Sequence, residues 1–549
     1  MFTKSKHVHV DRAFINIGVV PDLVEQNITA EDTTGIFCKN EQKLEFGCRE
    51  CQFLIPNSCF TSLFIDFQGS ASNDRILSSS RSKALSTAQN GIDASREFTR
   101  HERFDDVIIG TGIQTFDAII FTATGCEHDD ITEVSGADSL YEAEGIIRES
   151  EENASFLFGC PTYYSTEGSS QCIRAMLYLV MLHAKERGIE RPLILAGRNA
   201  HKTFLSAVGL LDLDVEWLYP ENEAGYLACL VTPEGLTARL SQMKAEGRLP
   251  AAVYLTSPDY LGNVADTAGI AEVCHGFGVL LVVDNAHGAY LRFLPDSKHP
   301  MDLGADLCCD SAHKTLPVLT GGAYLHIGGH LPDLFCDHAK QALALFGSTS
   351  PSYLILKSLD MANAVLASKR YTVSLEKTVK QVEACWIKLS ACGLRPMQTA
   401  EPLKLTLCPR KHGYTGMEVA EHLRQNGIEC EFADPDFVVL MVTPAITETE
   451  LDRVAEVLCA LPRRDSVAEC PPALIKPERV MSVREALLSP SEVLPVEECI
   501  GRIAAAATVG CPPAVPIVVS GERISPEAVA CFGYYGIATC AVVRREFEP

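Results

Sequence analysis

The sequence predicts an α/β fold: a wound, mostly parallel sheet with helices, followed by smaller α+β units. Three observations predict it. From Phe104 onward, and most clearly after DITEVSGADSLYEAEGIIRESEENASFLFG, apolar runs of strand length alternate with stretches of helical periodicity, as in a sheet built from βα repeats. Several of those runs end in polar residues, and ligands in wound α/β sheets bind at the carboxyl ends of strands. Beyond residue 390 the order becomes strand, helix, strand, helix through EPLKLTLCP, MEVAEHLRQNG, IECEFADPDFVVLMVTP and ETELDRVAEVL, a compact α+β unit.

A chain of 549 residues exceeds one ordinary core, so several domains are expected. Residues 1–105 have mixed polarity and a Ser-rich stretch, LSSSRSKALSTAQNG, and read as a partly flexible region without an assigned role. Residues 106–390 form the expected major domain and 391–465 a small one. The Pro-rich PPALIKPERV then leads into a last domain, 471–549, ending in short apolar strands such as PIVVSG and TCAVV.

Composition excludes some partners. With 71 acidic against 47 basic residues the formal charge is -24, which disfavours nucleic acid and anionic membrane surfaces. No uncharged apolar run is long enough to span a bilayer, and the start lacks a signal-peptide core, so a cytoplasmic protein is expected. The 22 cysteines are scattered through apolar segments, which predicts buried, reduced thiols. Cys38, Cys48, Cys51 and Cys59 form a cluster, but their outer spacings match no zinc pattern and no metal is expected.

Taken in order, the elements of the major domain collect chemistry. In PTYYSTEGSSQCIRAMLYLVMLHA, Gly168, Ser169 and Ser170 precede an apolar helix carrying Ile173, Met176, Leu177 and Val180 at helical spacing. Open amides, the helix dipole and two hydroxyls there suit a phosphate, though an ordinary serine cap has the same residues. In RPLILAGRNAHKTF a strand over 193–196 runs into a loop with His201, placed to stack on a flat cofactor or simply to be a polar loop residue. AAVYLTSPDYLGN is a strand ending in Thr256 and Ser257, stopped by Pro258, with a helix over 266–277 after it. VLLVVDNAHGAYL delivers Asp284 at a strand end and His287 three residues later.

About thirty residues further on, Asp310-Ser311-Ala312-His313-Lys314-Thr315 lies between apolar strands. Alone, Asp284 or Lys314 would be an ordinary loop residue. Together they are what pyridoxal 5'-phosphate needs: an amine to condense with the cofactor aldehyde, and an acid to keep the pyridine nitrogen protonated as an electron sink. A GSTSPS loop with Thr349 and Ser350 follows, between two helices.

These motifs resemble the bacterial ornithine/lysine/arginine decarboxylases of shorter form, which are fold type I pyridoxal-phosphate enzymes. The resemblance runs from about residue 129 to the C-terminus, through DITEVSGADSLYEAEG, RNAHK, TSPDYLGN, DNAHGAYL, SAHKTLPVLTGGAYLHI, STSPSYLILKSLD, REALLSPSEVLPVEECIGRIAA and CPPAVPIVVSGE. It implies a PLP-dependent transferase-like large domain with smaller α+β C-terminal domains. Lys314 would be the Schiff-base lysine, Asp284 the partner of the pyridine nitrogen, and His201 the residue stacked on the ring. Ser169, Ser170 and Ser311 would hold the phosphate, with Thr349 or Ser350 reaching it from a neighbouring subunit of a homodimer or higher oligomer. His313 would border the substrate carbon, and His287, in a place that varies between members, would lie beside the cofactor.

The implied reaction is decarboxylation of a basic L-amino acid to its amine and carbon dioxide, as in polyamine biosynthesis. Carboxylates near the site, Asp259 and Asp310 among them, could pair with the distal cation, or either could instead cap a helix or bond a backbone N–H. Two departures bear on the substrate: residues 1–128 lack a His-x-Pro-Gly-His-Lys segment, and the lysine segment reads Asp-Ser-Ala-His-Lys where Gln-Ser-Thr-His-Lys is frequent. An aminotransferase or other lyase of the same fold, and an inactive cofactor-binding homologue, are the competing readings.

Overall fold

Strong apolar alternation with period two makes strands, and where both faces of a sheet are covered by helices both parities are apolar. The computed structural model describes residues 137–220, 226–469, 472–509 and 516–549. The Ser-rich stretch, the cysteine cluster and the rest of the region expected to be flexible lie outside the described residues. Seven strands form the central sheet: β1 (Thr162–Ser165), β2 (Leu193–Gly197), β3 (Asp214–Leu218), β4 (Ala252–Thr256), β5 (Leu280–Asp284), β6 (Leu307–Asp310) and β7 (Ala323–Ile327). Their order is β1-β7-β6-β5-β4-β2-β3. All neighbours pair in parallel except those of β7, which runs against both β1 and β6. The mostly parallel wound sheet expected from the sequence is thus present.

Both faces are covered. Helix α1 (Ile146–Phe158) precedes β1, and α2 (Ser169–Glu186) follows it. Met176, Leu177 and Val180 of α2 pack with Ile194, Ala196, Val282 and Cys309, together with Phe204 and Val208 of α3 (Lys202–Leu211). The opposite parity, Leu195, Val253, Leu281, Val283 and Cys308, packs against Leu240 of α4 (Pro233–Ala245) and Ile270 and Cys274 of α5 (Thr267–Phe277). The short α6 (Ala312–Thr315) leaves β6; α7 (Leu334–Asp337), α8 (Ala339–Ala344), α9 (Tyr353–Leu366) and α10 (Lys369–Ala391) follow β7.

Next comes a three-stranded antiparallel sheet of order β8-β10-β9, made of β8 (Lys404–Leu407), β9 (Phe432–Ala433) and β10 (Val438–Met441). Its helices α11 (Gly416–Gln425) and α12 (Glu448–Cys459) each start with a capping box, Thr415 with Glu418 and Thr447 with Glu450. Cys392, which caps α10, is disulfide-bonded to Cys459 at the end of α12, an exception to the reduced thiols expected. The last stretch contains α13 (Val483–Leu488), β11 (Ser491–Pro495), β12 (Thr508–Val509), β13 (Pro516–Val518), α14 (Pro526–Tyr534) and β14 (Thr539–Val543), with β11 paired to β14 and β12 to β13.

This last stretch reaches back to the central sheet. Arg198, in the loop after β2, is buried and makes a bidentate pair with Glu522, Nη1–Oε1 and Nη2–Oε2 both 2.8 Å, while Nη2 also donates to the Ile517 carbonyl at 2.9 Å. Helix α13 lies so close to α3 that a Cβ on Gly209 would come 2.7 Å from Leu487 Cδ2.

Candidate active site

Parallel strands align their carboxyl ends, and the loops leaving β1, β2, β4, β5 and β6 converge there on one cavity of about 370 Å³. Among its lining residues are Ser169, Ser170, His201, Asp284, His287, Ser311, His313 and Lys314. Residues spread over some 150 positions of sequence thus line one cavity. Thr349 and Ser350 are not: they sit exposed in the turn after α8, away from this cavity's lining. Glu167, Asn199, Tyr260 and Thr320 line it without having been singled out.

One end of the cavity is an anion cradle. Helix α2 has no side-chain cap, so the amides of its first turn, at Ser169 and Ser170, are open to a ligand. The Ser311 hydroxyl donates to Ser169 Oγ at 2.8 Å, bringing the end of β6 to this helix start. Gly168 has the left-handed φ of 72°, and a Cβ there would project to 3.9 Å from His313 Cε1 and 4.0 Å from Ser170 N, into the cradle.

Asp284 closes β5. Its Oδ2 accepts from the Tyr254 hydroxyl at 3.2 Å and its Oδ1 from the Ala286 amide at 3.2 Å, a light set of partners for a carboxylate that is 2 % exposed. His201 caps α3, its Nδ1 accepting from the Thr203 amide at 3.2 Å, so the ring is fixed with the proton on Nε2; burial lowers its proton affinity. His313 donates from Nδ1 to the Gly322 carbonyl at 3.0 Å, which leaves Nε2 free, and burial lowers its pKa too. The buried Thr256 Oγ1, also lining the cavity, has no hydrogen-bond partner among the described residues.

Lys314 extends from α6 into a linear array that the sequence did not reveal. Its Nζ lies 2.7 Å from His287 Nε2, and His287 Nδ1 lies 2.7 Å from Nζ of Lys404, the first residue of β8. Lys404 also donates to the Asp259 carbonyl at 2.7 Å. Burial, then the Lys404 and Lys314 charges, drives the pKa of His287 far below the ordinary histidine range. A neutral imidazole has one N–H and one lone pair, so one of the two lysines must accept a hydrogen bond from it through a lone pair of its own and be an uncharged amine. Were the ring protonated, both amines would have to be uncharged. The three groups together hold at most one positive charge. Burial lowers the pKa of Lys314, against the pull of Glu431 and Asp284.

Glu431, in the turn before β9, is half-buried, and among the described residues no group donates a hydrogen bond to its carboxylate. It is close enough for its charge to raise the proton affinity of Lys314, His313 and Lys404. The two aspartates expected near a substrate cation are elsewhere. Asp310 is fully buried and accepts from His299 Nε2 and His326 Nε2, both at 3.0 Å, and from Asn285 Nδ2 at 2.6 Å. Burial works against its charge, yet the two imidazoles hold its pKa below the carboxylate range. Asp259 is spent on the amides of Leu261 and Asn263 and the Asn263 side chain, and burial raises its pKa. Neither is available to a ligand.

The chain matches the family described as "Orn/Lys/Arg decarboxylase, major domain" over residues 121–391 and that family's C-terminal domain over 467–543. It is 30% identical over 417 residues to the uncharacterized protein YaaO of Bacillus subtilis, covering 73% of this chain and 84% of that one. The chain belongs to the Orn/Lys/Arg decarboxylase family. An arginine decarboxylase of the same bacterium is 29% identical over 425 residues, covering 73% of this chain and 83% of the relative. Among solved structures, the Francisella novicida lysine decarboxylase LdcF superposes with a TM-score of 0.62 at 18% identity, covering 78% of this chain and 75% of that one. The Escherichia coli constitutive lysine decarboxylase gives 0.61 at 17%, with 83% and 81% covered.

This decarboxylase is a pyridoxal-phosphate enzyme, and its residues fit the cofactor: an amine on Lys314, a lightly held carboxylate on Asp284, an open helix start kept clear by Gly168, and an orphaned Thr256 hydroxyl. Among the described residues no helix is long and apolar enough to cross a membrane.

Proposed function

We propose that the chain removes the α-carboxylate of a basic L-amino acid, arginine, lysine or ornithine, giving the amine and carbon dioxide. The observation that carries this reading is Glu431: a half-buried carboxylate with no hydrogen-bond donor among the described residues, near enough to Lys314 and His313 for its charge to raise their proton affinity. A substrate ammonium or guanidinium would supply the missing donors through charge-assisted hydrogen bonds. The names of the arginine decarboxylases of Bacillus subtilis and Halalkalibacterium halodurans support the same substrate class.

Bound here, pyridoxal phosphate supplies a reactive aldehyde and an electron sink. Ser169, Ser170 and Ser311, with the first amides of α2, would bind its phosphate; Asp284 would hold the proton on its ring nitrogen; His201 would cover its ring. Lys404, with the buried carboxyl groups of Glu401 and Asp259 and the Asp259 carbonyl around it, takes the single positive charge of the lysine-histidine-lysine array. His287 then points Nε2–H at Lys314 and keeps that amine uncharged, the form able to form and exchange covalent links. His313 Nε2 and Lys314 Nζ are the bases placed to take up a proton from the incoming substrate ammonium and to return it in place of the departing carboxylate.

We further infer that the enzyme is at least a homodimer, in which the exposed Thr349 and Ser350 complete a neighbour's phosphate cradle, and that it acts in the cytoplasm. The test of the function is incubation with each of the twenty amino acids, following carbon dioxide and amine by mass spectrometry. Amine and carbon dioxide from arginine, lysine or ornithine is the expected result; keto acid without carbon dioxide would overturn it in favour of transamination. Borohydride should fix the cofactor on Lys314, and a label on another lysine would remove that residue from its role.

A further inference from the structure

Asp306 immediately precedes β6, at the end of the sheet opposite the catalytic cavity. Its carboxylate is 2 % exposed and is approached by two imidazoles from separate elements. His275 Nε2, in the last turn of α5, lies 3.1 Å from Oδ2, and His330 Nε2, in the turn after β7, lies 2.7 Å from Oδ1. The three donor atoms are all within 4.8 Å of one another. From these residues we propose a binding site for a divalent first-row transition ion of the zinc or cobalt type.

The geometry favours an ion because one ligand is fixed and two can adjust. Asp306 is anchored by the Leu281 amide on Oδ2 at 2.6 Å, by its own amide on the Leu281 carbonyl at 2.9 Å, and by the Gly328 amide on its carbonyl at 2.8 Å. A backbone N–H orienting a carboxylate ligand in this way is the outer shell that metal sites use. The rings of His275 and His330 are 42 % and 54 % exposed, so they can shift outward without opening a void. Ligand atoms around a tetrahedral ion with bonds of about 2.0–2.2 Å stand about 3.3 Å apart, close to the separations already present. On binding, each ring offers the Nε2 lone pair and keeps its proton on Nδ1.

Two imidazoles with one carboxylate suit zinc, cobalt or nickel and do not suit calcium or magnesium, which take oxygen ligands. Three protein ligands leave a fourth position for water on the exposed side. Because the ligands come from α5, the residue before β6 and the turn after β7, the ion would tie these elements together at the end of the sheet opposite the cavity, and binding to the folded state alone raises the unfolding temperature. Sequence spacing hides such a site, since its residues stand at 275, 306 and 330 with no short motif.

The test uses the full-length, cofactor-loaded enzyme, stripped of metal with a chelator and titrated with Co²⁺. The expected result is saturation at one equivalent, with visible d–d absorption of nitrogen and oxygen ligands and a higher thermal midpoint. In the double variant H275Q/H330Q affinity should fall by at least ~10-fold and both signals should go, with amine production unchanged. If the double variant misfolds, H330Q alone, at a ring more than half exposed, should show the same loss of affinity. A parent enzyme without saturable binding, a thiolate charge-transfer band, or variants that bind cobalt as tightly as the parent would each overturn the site.

Discussion

Asp284 and Asp310 close neighbouring parallel strands, are both buried, and have opposite fates. In the register of β5 on β6, Asp284 stands opposite Cys309, so Asp310 lies one residue further and points to the other face of the sheet. On its own face Asp284 meets the cavity with few partners; on the other, Asp310 is wrapped by His299, His326 and Asn285. The lesson is one of parity. A strand-end acid lines the cavity or is used up in the core according to which side of a pleat it falls on, and a shift by one residue exchanges the two.

The largest expected effects test this contrast directly. Asp284→Ala should lower turnover by at least ~10²-fold, since the charge it opposes develops in a water-poor site, while urea unfolding stays near the parent's. Asp310→Ala should do the reverse, costing about 3–5 kcal/mol of stability by leaving buried partners without their anion, with turnover per folded molecule retained. If the stability loss fell on the Asp284 variant instead, the assignment of the two faces would be inverted.

Next in size is Glu431→Gln. A hydrogen bond to a charged group is worth about 1.5–3 kcal/mol, so KM for the basic substrate should rise roughly 10- to 100-fold with a smaller change in kcat. An unchanged KM would move the cation site elsewhere. Lys404→Met should shift to higher pH the midpoint at which Lys314 of the apoenzyme reacts with an acylating reagent, read by peptide mass spectrometry. Without the Lys404 ammonium, His287 is free to turn its lone pair toward Lys314 and stabilise it as a cation. Lys404→Arg, which keeps the charge and the donor, should hold the midpoint near the parent's; a shift in Arg equal to that in Met would discard the array. The smallest effect is expected for a Thr349→Ala/Ser350→Ala double variant, a few-fold weaker cofactor retention. Mixing it with Lys314→Ala subunits should restore part of the activity if the loop serves a neighbour's site, and no recovery would confine it to its own chain.

Much of this was legible because fold type and cofactor chemistry are written locally. The alternation of apolar runs placed β2, β4 and β5, and the serines, His201, Asp284 and Lys314 all stand at strand or helix ends where short motifs can mark them. Lys404 and Glu431 were not legible. They enter from β8 and the turn before β9, far along the chain, as ordinary charged residues in an amphipathic unit, and only tertiary packing brings them to the array. Asp310 was misread because proximity in sequence to Lys314 says nothing about side-chain face. The Cys392–Cys459 pair joins two helix ends 67 residues apart, a distance no spacing rule covers.

The Arg198–Glu522 pair limits how this protein can change over generations. Arg198 is three residues from His201, and the partner that fixes it comes from the last tenth of the chain. Losing either member alone would strand a buried charge beside the cofactor loop, so the two positions are expected to drift only as a couple. A lineage that trimmed the C-terminal segment would leave Arg198, three residues from the cavity-lining His201, buried without its anion, which ties the inheritance of the tail to that of the cavity.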